Sequence, residues 1–170
     1  MAIRVSILTI SDRSFHGERP DSSGIVLVEK VKQFGWSVVD TGLVPDEIPL
    51  IQEKLMQWCD TGQTDVILTT GGTGFASRDV TPEATMAVVE KLAPGIAEAM
   101  LFNSLKITPH AMLSRAVAGI RGRTLIVNFP GSPKAAIENL EFIESVIPHA
   151  VELLQENPSS ETGHSLKPSK

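Results

Sequence analysis

Short apolar, β-branched runs alternate with stripes of apolar residues at helical spacing along most of the chain. Such runs predict buried strands, and such stripes predict helices that pack one face on a sheet. Strands are predicted at Arg4–Ile10, Ser37–Val44, Asp65–Thr69, Arg115–Ile120 and Thr124–Phe129. The last two flank Arg121-Gly122 and are predicted to form a hairpin.

Helix starts and stops are marked between these strands. Asp21 or Ser22 can cap a first helix that ends at Gly35. Thr81 offers a hydroxyl cap for a later helix, followed by proline in its first turn. Further helices are predicted after Pro45-Asp46-Glu47, over Pro94–Leu105, and from about Ala136 to Leu154. This alternation predicts an α/β domain with a mostly parallel sheet and helices on both faces.

The loops that follow the strands contain the polar residues that could bind a ligand. Right-handed crossovers would place them along one edge of the sheet, where open α/β sheets bind ligands. The loops are Ser11–Asp21, Pro45–Glu47, Thr70–Asp79 and Asn128–Ser132. We therefore predict one ligand site in a domain spanning residues 1–156. Residues 157–170 hold little apolar material and are predicted to be disordered.

Length and charge narrow the classes of function. The chain has 170 residues and a net charge of −5, which argues against non-specific nucleic-acid binding. Binding of an anionic small ligand is compatible with this negative charge, because backbone dipoles can hold phosphate on an acidic protein. No apolar run approaches the roughly 18 residues of a membrane span. With no secretory pattern at the start, a cytoplasmic protein with no membrane partner is expected.

The segment Thr69–Gly74 places three glycines directly after a predicted strand. Successive N–H groups in such a loop can form an anion-binding concavity, and Thr70 and Thr73 can add hydroxyl donors. The segment matches neither a Walker A loop nor GxGxxG. A tight strand–helix connection without a ligand is an equally open interpretation.

Asp79 and Asp46 are the carboxylates most suited to a metal ion. Mg²⁺ is typically held by one or two carboxylates together with phosphate oxygens. Asp79 could instead complement a helix dipole, and Asp46 could be a helix cap. Arg78 could pair with phosphate or be a surface charge. The histidines show no metal-binding spacing, and Cys59 is predicted to be a structural thiol.

The remaining candidates each have a structural alternative. Ser11-Asp12 could orient a ligand or form a polar turn. Asn128–Ser132 could cradle a base or phosphate, or be a plain connection. Glu98 could be a solvated acid, and no Ser–His–Asp pattern accompanies Ser114.

Several motifs occur together in order. They are TTGGTGFASRDVTPEAT from Thr69, Ser11-Asp12-Arg13, Val44-Pro45-Asp46-Glu47, Pro94-Gly95-Ile96-Ala97-Glu98-Ala99-Met100, Leu113-Ser114-Arg115 and Leu125-Ile126-Val127-Asn128-Phe129-Pro130-Gly131-Ser132-Pro133. On the basis of these motifs, residues 4–155 resemble the MogA-like molybdopterin adenylyltransferases. Related domains occur in the MoaB proteins, in gephyrin and in the plant Cnx proteins.

The resemblance implies a three-layer α/β fold, a homotrimer, and two substrates, molybdopterin and Mg-ATP. AMP would pass to the terminal phosphate of the pterin with release of pyrophosphate, and the downstream molybdate-inserting protein would be a partner. Asp79 and Asp46 are then predicted to be catalytic and to hold Mg²⁺. Substrate or nucleotide binding is predicted for Ser11, Asp12, Thr70, Gly71, Gly72, Thr73, Gly74, Arg78, Glu98, Ser114, Asn128, Pro130, Gly131 and Ser132.

One residue departs from the family pattern. Leu101 stands where family members commonly carry arginine, so an anion contact is missing or supplied elsewhere. This keeps a non-catalytic pterin-binding or scaffolding module open as an alternative. An unrelated nucleotide-binding α/β protein is a more distant one.

Overall fold

The sheet has six strands, and a computed structural model describes it within residues 2–156. The strands are β1 Arg4–Ile10, β2 Ser37–Val44, β3 Val66–Thr70, β4 Lys91–Leu92, β5 Ala118–Arg121 and β6 Thr124–Phe129. Their order is β2-β1-β3-β6-β5-β4. The first four in this order pair in parallel, and β6-β5-β4 pair antiparallel. The expected mostly parallel sheet and the hairpin are confirmed.

The described part of the chain has seven α-helices. They are α1 Asp12–Phe15, α2 Ser22–Gln33, α3 Ile48–Asp60, α4 Thr81–Val88, α5 Pro94–Leu105, α6 Pro133–Ile143 and α7 Ile147–Leu154. Short 3₁₀ segments follow α5 at Pro109–Leu113 and α6 at Glu144–Val146. None of these helices has both the length and the apolar character needed to cross a membrane.

Alternating side chains of the central strands build two separate cores. Ile7 and Leu68 face a layer formed by α2, α5, α6 and α7. Leu8 and Ile67 face the opposite layer, formed by α3 and α4. Since successive strand residues point to opposite faces, an apolar run can fill both layers at once. This confirms the three-layer α/β fold.

Local signals placed most boundaries correctly. Asp21 caps α2 by accepting a hydrogen bond from the N–H of Gly24 at 2.8 Å. Gly35 follows that helix with φ +77°, a conformation that favours glycine. The predicted disordered segment 157–170 lies outside the described residues.

Three local predictions are wrong. Thr81 is not the cap of α4: Val80 holds that position without a side-chain bond, and the Thr81 hydroxyl donates to the carbonyl of Gly71 at 2.8 Å. Asp65 lies just before β3, which begins at Val66, and its carboxylate pairs with Arg4 at 2.7 Å. The strand expected from Arg115 begins only at Ala118, since Arg115 is drawn into the neighbouring loop. Helix α1, strand β4 and the 3₁₀ segments were not anticipated.

Candidate functional site

The loops after β1, β2, β3 and β6 meet at the carboxyl edge of the parallel strands. They surround a cavity of about 970 Å³. The cavity is lined by fourteen of the predicted site residues: Ser11, Asp12, Asp46, Thr70, Gly71, Gly72, Thr73, Gly74, Asp79, Ser114, Asn128, Pro130, Gly131 and Ser132. The convergence expected from parallel topology is therefore present.

Two predicted site residues do not line the cavity. Glu98 is exposed on α5. Arg78 is also exposed, and it reaches the site only through Asp12. Their predicted roles in binding stay predictions.

Glycines let three chain segments approach each other at the floor of the cavity. Gly71 has φ +101°, and a Cβ there would collide with the backbone carbonyl oxygen of Ile10. A Cβ on Gly131 would lie 3.3 Å from the Cα of Gly71. A Cβ on Gly74 would lie 2.8 Å from Oδ2 of Asp79. At Gly71 only glycine allows the loop after β3 to approach the end of β1 this closely, and Gly131 leaves little room for a side chain between the loops after β3 and β6.

The glycine loop presents unused backbone donors. The N–H of Gly71 is used by the carbonyl of Phe129 at 3.1 Å. In the part of the chain that the structure describes, the N–H groups of Gly72, Thr73 and Gly74 bond to no acceptor. Consecutive free N–H groups of this kind suit an anionic ligand.

Asp12 and Asp46 hold the loops after β1 and β2 together by reciprocal bonds. The N–H of Asp12 donates to Oδ2 of Asp46 at 2.8 Å, and the N–H of Asp46 donates to Oδ1 of Asp12 at 2.9 Å. Arg78 then binds both oxygens of Asp12, at 2.9 and 3.0 Å. Asp12 is thus a structural and electrostatic link between Arg78 and Asp46.

The two carboxyls shift in opposite directions. The hydrogen bonds from Arg78 lower the pKa of Asp12 below its usual range. Burial raises the pKa of Asp46, and the neighbouring charges of Asp12 and Asp79 raise it further. The environment of Asp12 therefore favours its anionic form, whereas that of Asp46 disfavours a charge that a bound cation would offset.

Asp79, the second carboxylate proposed for a metal ion, lies on the loop that leads into α4. Its Oδ2 accepts from the N–H of Ala76 at 3.0 Å, which fixes the side chain while Oδ1 is left for another partner. In Asp46 the arrangement is similar, with Oδ2 bound and Oδ1 beside Gly72. Each carboxylate thus offers one oxygen in a fixed position.

Arg115 holds the glycine loop in place, a role that the sequence did not reveal. Its N–H donates to the carbonyl of Thr73 at 2.9 Å. Its guanidinium donates to the carbonyls of Gly74 and Asp79, each at 2.8 Å, and pairs with Glu83. The motif Leu113-Ser114-Arg115 marked the residue, but its partners lie 32 to 42 positions away.

Several predicted binding residues also serve the protein's own structure. Asn128 is fully buried, and its amide donates to Thr69 and Thr85 and accepts from the N–H of Val117. Ser132 caps α6, and the Thr70 hydroxyl donates to the carbonyl of Pro130. The Asn128 amide is therefore bonded within the protein, where it links β6 to β3, to α4 and to the residue before β5.

The cavity includes residues that were not predicted to belong to it. They are Arg13, Arg19, Met100, Leu101, Ser104, His110 and Asn139, among others. Arg19 donates to the hydroxyl of Ser11 at 3.4 Å.

Cys59 lies outside the cavity and is half-buried, and burial raises the pKa of its thiol to about 11. The thiol therefore stays protonated at neutral pH, as a structural role requires.

The chain is similar to known proteins over nearly its whole length. Residues 6–149 match the family described as a probable molybdopterin binding domain. The molybdopterin adenylyltransferase of Helicobacter pylori strain 26695 is 43% identical over 157 residues, which cover 91% of this chain and 89% of that protein. Cinnamon, a molybdenum cofactor synthesis protein of Drosophila melanogaster, is 44% identical over 159 residues. That match covers 93% of this chain but only 26% of cinnamon.

Solved structures show the same architecture. MoaB from Thermus thermophilus is 49% identical, with a TM-score of 0.86 covering 92% of this chain and 98% of that one. A structure of MogA is 38% identical, with a TM-score of 0.84 covering 89% and 99%.

Proposed function

Because the chain belongs to the MogA/MoaB family of probable molybdopterin binding domains, we propose that it adenylylates molybdopterin in molybdenum cofactor biosynthesis. This membership confirms the resemblance inferred from the motifs. The proposed reaction consumes Mg-ATP, transfers AMP to the terminal phosphate of molybdopterin and releases pyrophosphate. The observation that carries the proposal is the pair Asp46 and Asp79 beside the free N–H groups of the glycine loop.

The donor set fits Mg²⁺ shared with phosphate. Among the described residues, no group of three or more His, Cys, Asp or Glu side chains is arranged to hold an ion unaided. Mg²⁺ is commonly held by one or two carboxylates plus substrate phosphates, and Asp46 and Asp79 each offer one oxygen for this. A bound Mg²⁺ would neutralise charge on the phosphate oxygens of ATP.

Positioning can supply most of the chemistry at this site. A phosphate monoester has a second pKa of about 6, so the attacking oxygen is largely anionic at neutral pH without a general base. That oxygen would form a bond to the α-phosphorus of ATP as the bond to the β-phosphate oxygen breaks. Free N–H groups of Gly72, Thr73 and Gly74 would hold phosphate oxygens, and Arg115 would keep the loop in position.

A non-catalytic molybdopterin-binding module is the second candidate. Leu101 favours it, because this residue lines the cavity at the position where the resemblance to the family implies arginine. Such a module would bind molybdopterin without consuming ATP.

We also propose that the protein is a homotrimer in the cytoplasm that passes its product to the molybdate-inserting protein. Large apolar side chains support burial against another chain, since Phe102, Ile107 and Met112 are 70, 54 and 67% exposed on α5 and the segment after it. Exposed apolar groups of this size favour protein contacts. Light scattering of the purified protein measures the assembly, and a monomer would contradict it.

The deciding experiment is adenylylation by Asp79→Asn. Asparagine retains an oxygen for the N–H of Ala76, so the loop should stay folded, but it lacks the charge that a metal ion needs. We expect kcat to fall by roughly 10²–10³-fold, with an unchanged melting temperature. Product formation is followed by the release of pyrophosphate and by mass spectrometry of the pterin.

Asp60→Asn is the matched control. Asp60 is exposed outside the cavity and pairs with Arg121, so its loss should leave turnover unchanged. Normal turnover by Asp79→Asn would remove Asp79 from the proposed mechanism. Pterin binding without pyrophosphate release by the unmodified protein would favour the non-catalytic module.

A further inference from the structure

Asn139 is a polar residue in the apolar stripe of α6. Its neighbours on that stripe, Ala136, Leu140 and Ile143, are at most 2% exposed, and Asn139 itself is 5% exposed. Burying an amide among apolar groups is unfavourable unless its donors and acceptor find partners. The position therefore calls for an explanation beyond helix packing.

Ser104 on α5 provides a hydrogen-bond partner for the oxygen of the Asn139 amide. Its hydroxyl donates to Oδ1 of Asn139 at 3.0 Å, across the contact between α5 and α6. The bond fixes the orientation of the amide and turns the Nδ2 group away from Ser104. Both residues line the large cavity.

The Nδ2 group is left with no acceptor in the described part of the chain. Among the described residues, Oε2 of Glu83 is the one side-chain nitrogen or oxygen that is both fully buried and without a hydrogen-bond partner. The unpaired Nδ2 of Asn139 is therefore not fully buried. Asn139 is 5% exposed and lines the cavity, so this fixed donor is available to a ligand there. Left unpaired on ligand binding, such a group would weaken binding.

The surroundings of Asn139 suit a flat ring better than a phosphate. Ala97, Met100, Leu101 and Ala135 lie on α5 and α6, the helices that carry Ser104 and Asn139, and they line the same cavity. Apolar walls with a small number of oriented polar groups are typical of sites for small organic ligands. A phosphate would be better served by the free N–H groups of the glycine loop.

The two ends of the cavity belong to different layers. Asp46 and Asp79 precede α3 and α4 on one face of the sheet, whereas Ser104 and Asn139 lie on helices that cover the other face. A ligand with a phosphate at one end and a ring at the other can contact both ends. Molybdopterin and ATP have this form.

We propose that Asn139 determines ligand specificity by donating from Nδ2 to an acceptor on the edge of a fused nitrogen heterocycle, with Ser104 orienting the amide. The inference rests on the proposed function, which supplies two such rings, pterin and adenine. A single fixed amide pairs with one ring, so one substrate depends on Asn139 and the other does not.

The test is a pair of calorimetric titrations, one with molybdopterin and one with the magnesium complex of an α,β-methylene ATP analogue. Asn139→Asp replaces the donor by an acceptor, and Asn139→Ala removes the amide without adding charge. We expect both variants to bind one ligand at least about tenfold more weakly, which equals about 1.4 kcal/mol. The other ligand should bind within about twofold of the unmodified protein. The weakened ligand identifies the ring.

Asn103→Asp is the matched control, since Asn103 is half-buried on α5 and outside the cavity lining. It should bind both ligands normally, and thermal melting checks that every variant is folded. Folded Asn139 variants with unchanged affinity for both ligands would overturn the inference alone. Equal weakening of both ligands would also overturn it, because it indicates a general change in cavity shape. If the unmodified protein binds neither ligand, the proposed function fails as well.

Discussion

Gly71→Ala tests whether the close approach of β1 and the glycine loop builds the site. Gly71 has φ +101°, and a Cβ would collide with the backbone carbonyl oxygen of Ile10 at the end of β1. Its own N–H and carbonyl are bonded to Phe129 and Thr81. The residue therefore cannot move away without breaking contacts on both sides.

Two costs add at this position. Holding alanine in a sparsely populated backbone conformation costs roughly 1–3 kcal/mol. Forcing a methyl group into a packed region costs roughly another 1–3 kcal/mol. The free energy of unfolding should thus fall by about 4 kcal/mol, which lowers the melting temperature by roughly 8–16 °C in a chain of this size.

Gly122→Ala separates the two costs. Gly122 also has positive φ, +55°, but a Cβ there would meet nothing within 4 Å. Only the backbone cost applies, roughly 1–2 kcal/mol. Urea denaturation of both variants measures the difference, and titration with the ATP analogue should show weakened binding by Gly71→Ala alone. Equal destabilisation by the two substitutions would refute the steric argument.

Two further predictions concern charged groups. Arg115→Lys should raise KM and lower the free energy of unfolding by roughly 1–3 kcal/mol, because one ammonium cannot replace the forked bonds to the glycine loop. The control is Arg123→Lys, because the exposed Arg123 side chain pairs only with the exposed Glu156 among the described residues. An unchanged melting curve for Arg115→Lys would contradict the prediction. Burial raises the pKa of Asp46, so kcat/KM should fall with decreasing pH at a higher pH than for an ordinary aspartate. Arg78 lowers the pKa of both Asp46 and Asp12, so in Arg78→Gln the fall in kcat/KM should occur at a still higher pH. A fall at the same pH or at a lower pH would contradict the electrostatic effect of Arg78 on Asp46.

Local patterns were sufficient for most of the fold. The buried runs gave β1 and β6 with the bounds that the structure has, and the cap at Asp21 and the stop at Gly35 placed α2. These features depend on neighbours within a few residues, so a sequence displays them directly. The edge that carries the site also followed, since right-handed parallel connections bring the loops after strands together.

Contacts between distant residues were decided only by the tertiary structure. Asp12 and Asp46 bind each other across 34 positions, and Arg115 reaches Gly74 across 41. The register of the strands and the packing of the loops determine these pairs, and neither leaves a local pattern. For this reason the sequence could predict Asp46 and Asp79 as candidate chemical groups, while the fold alone showed what holds them in place.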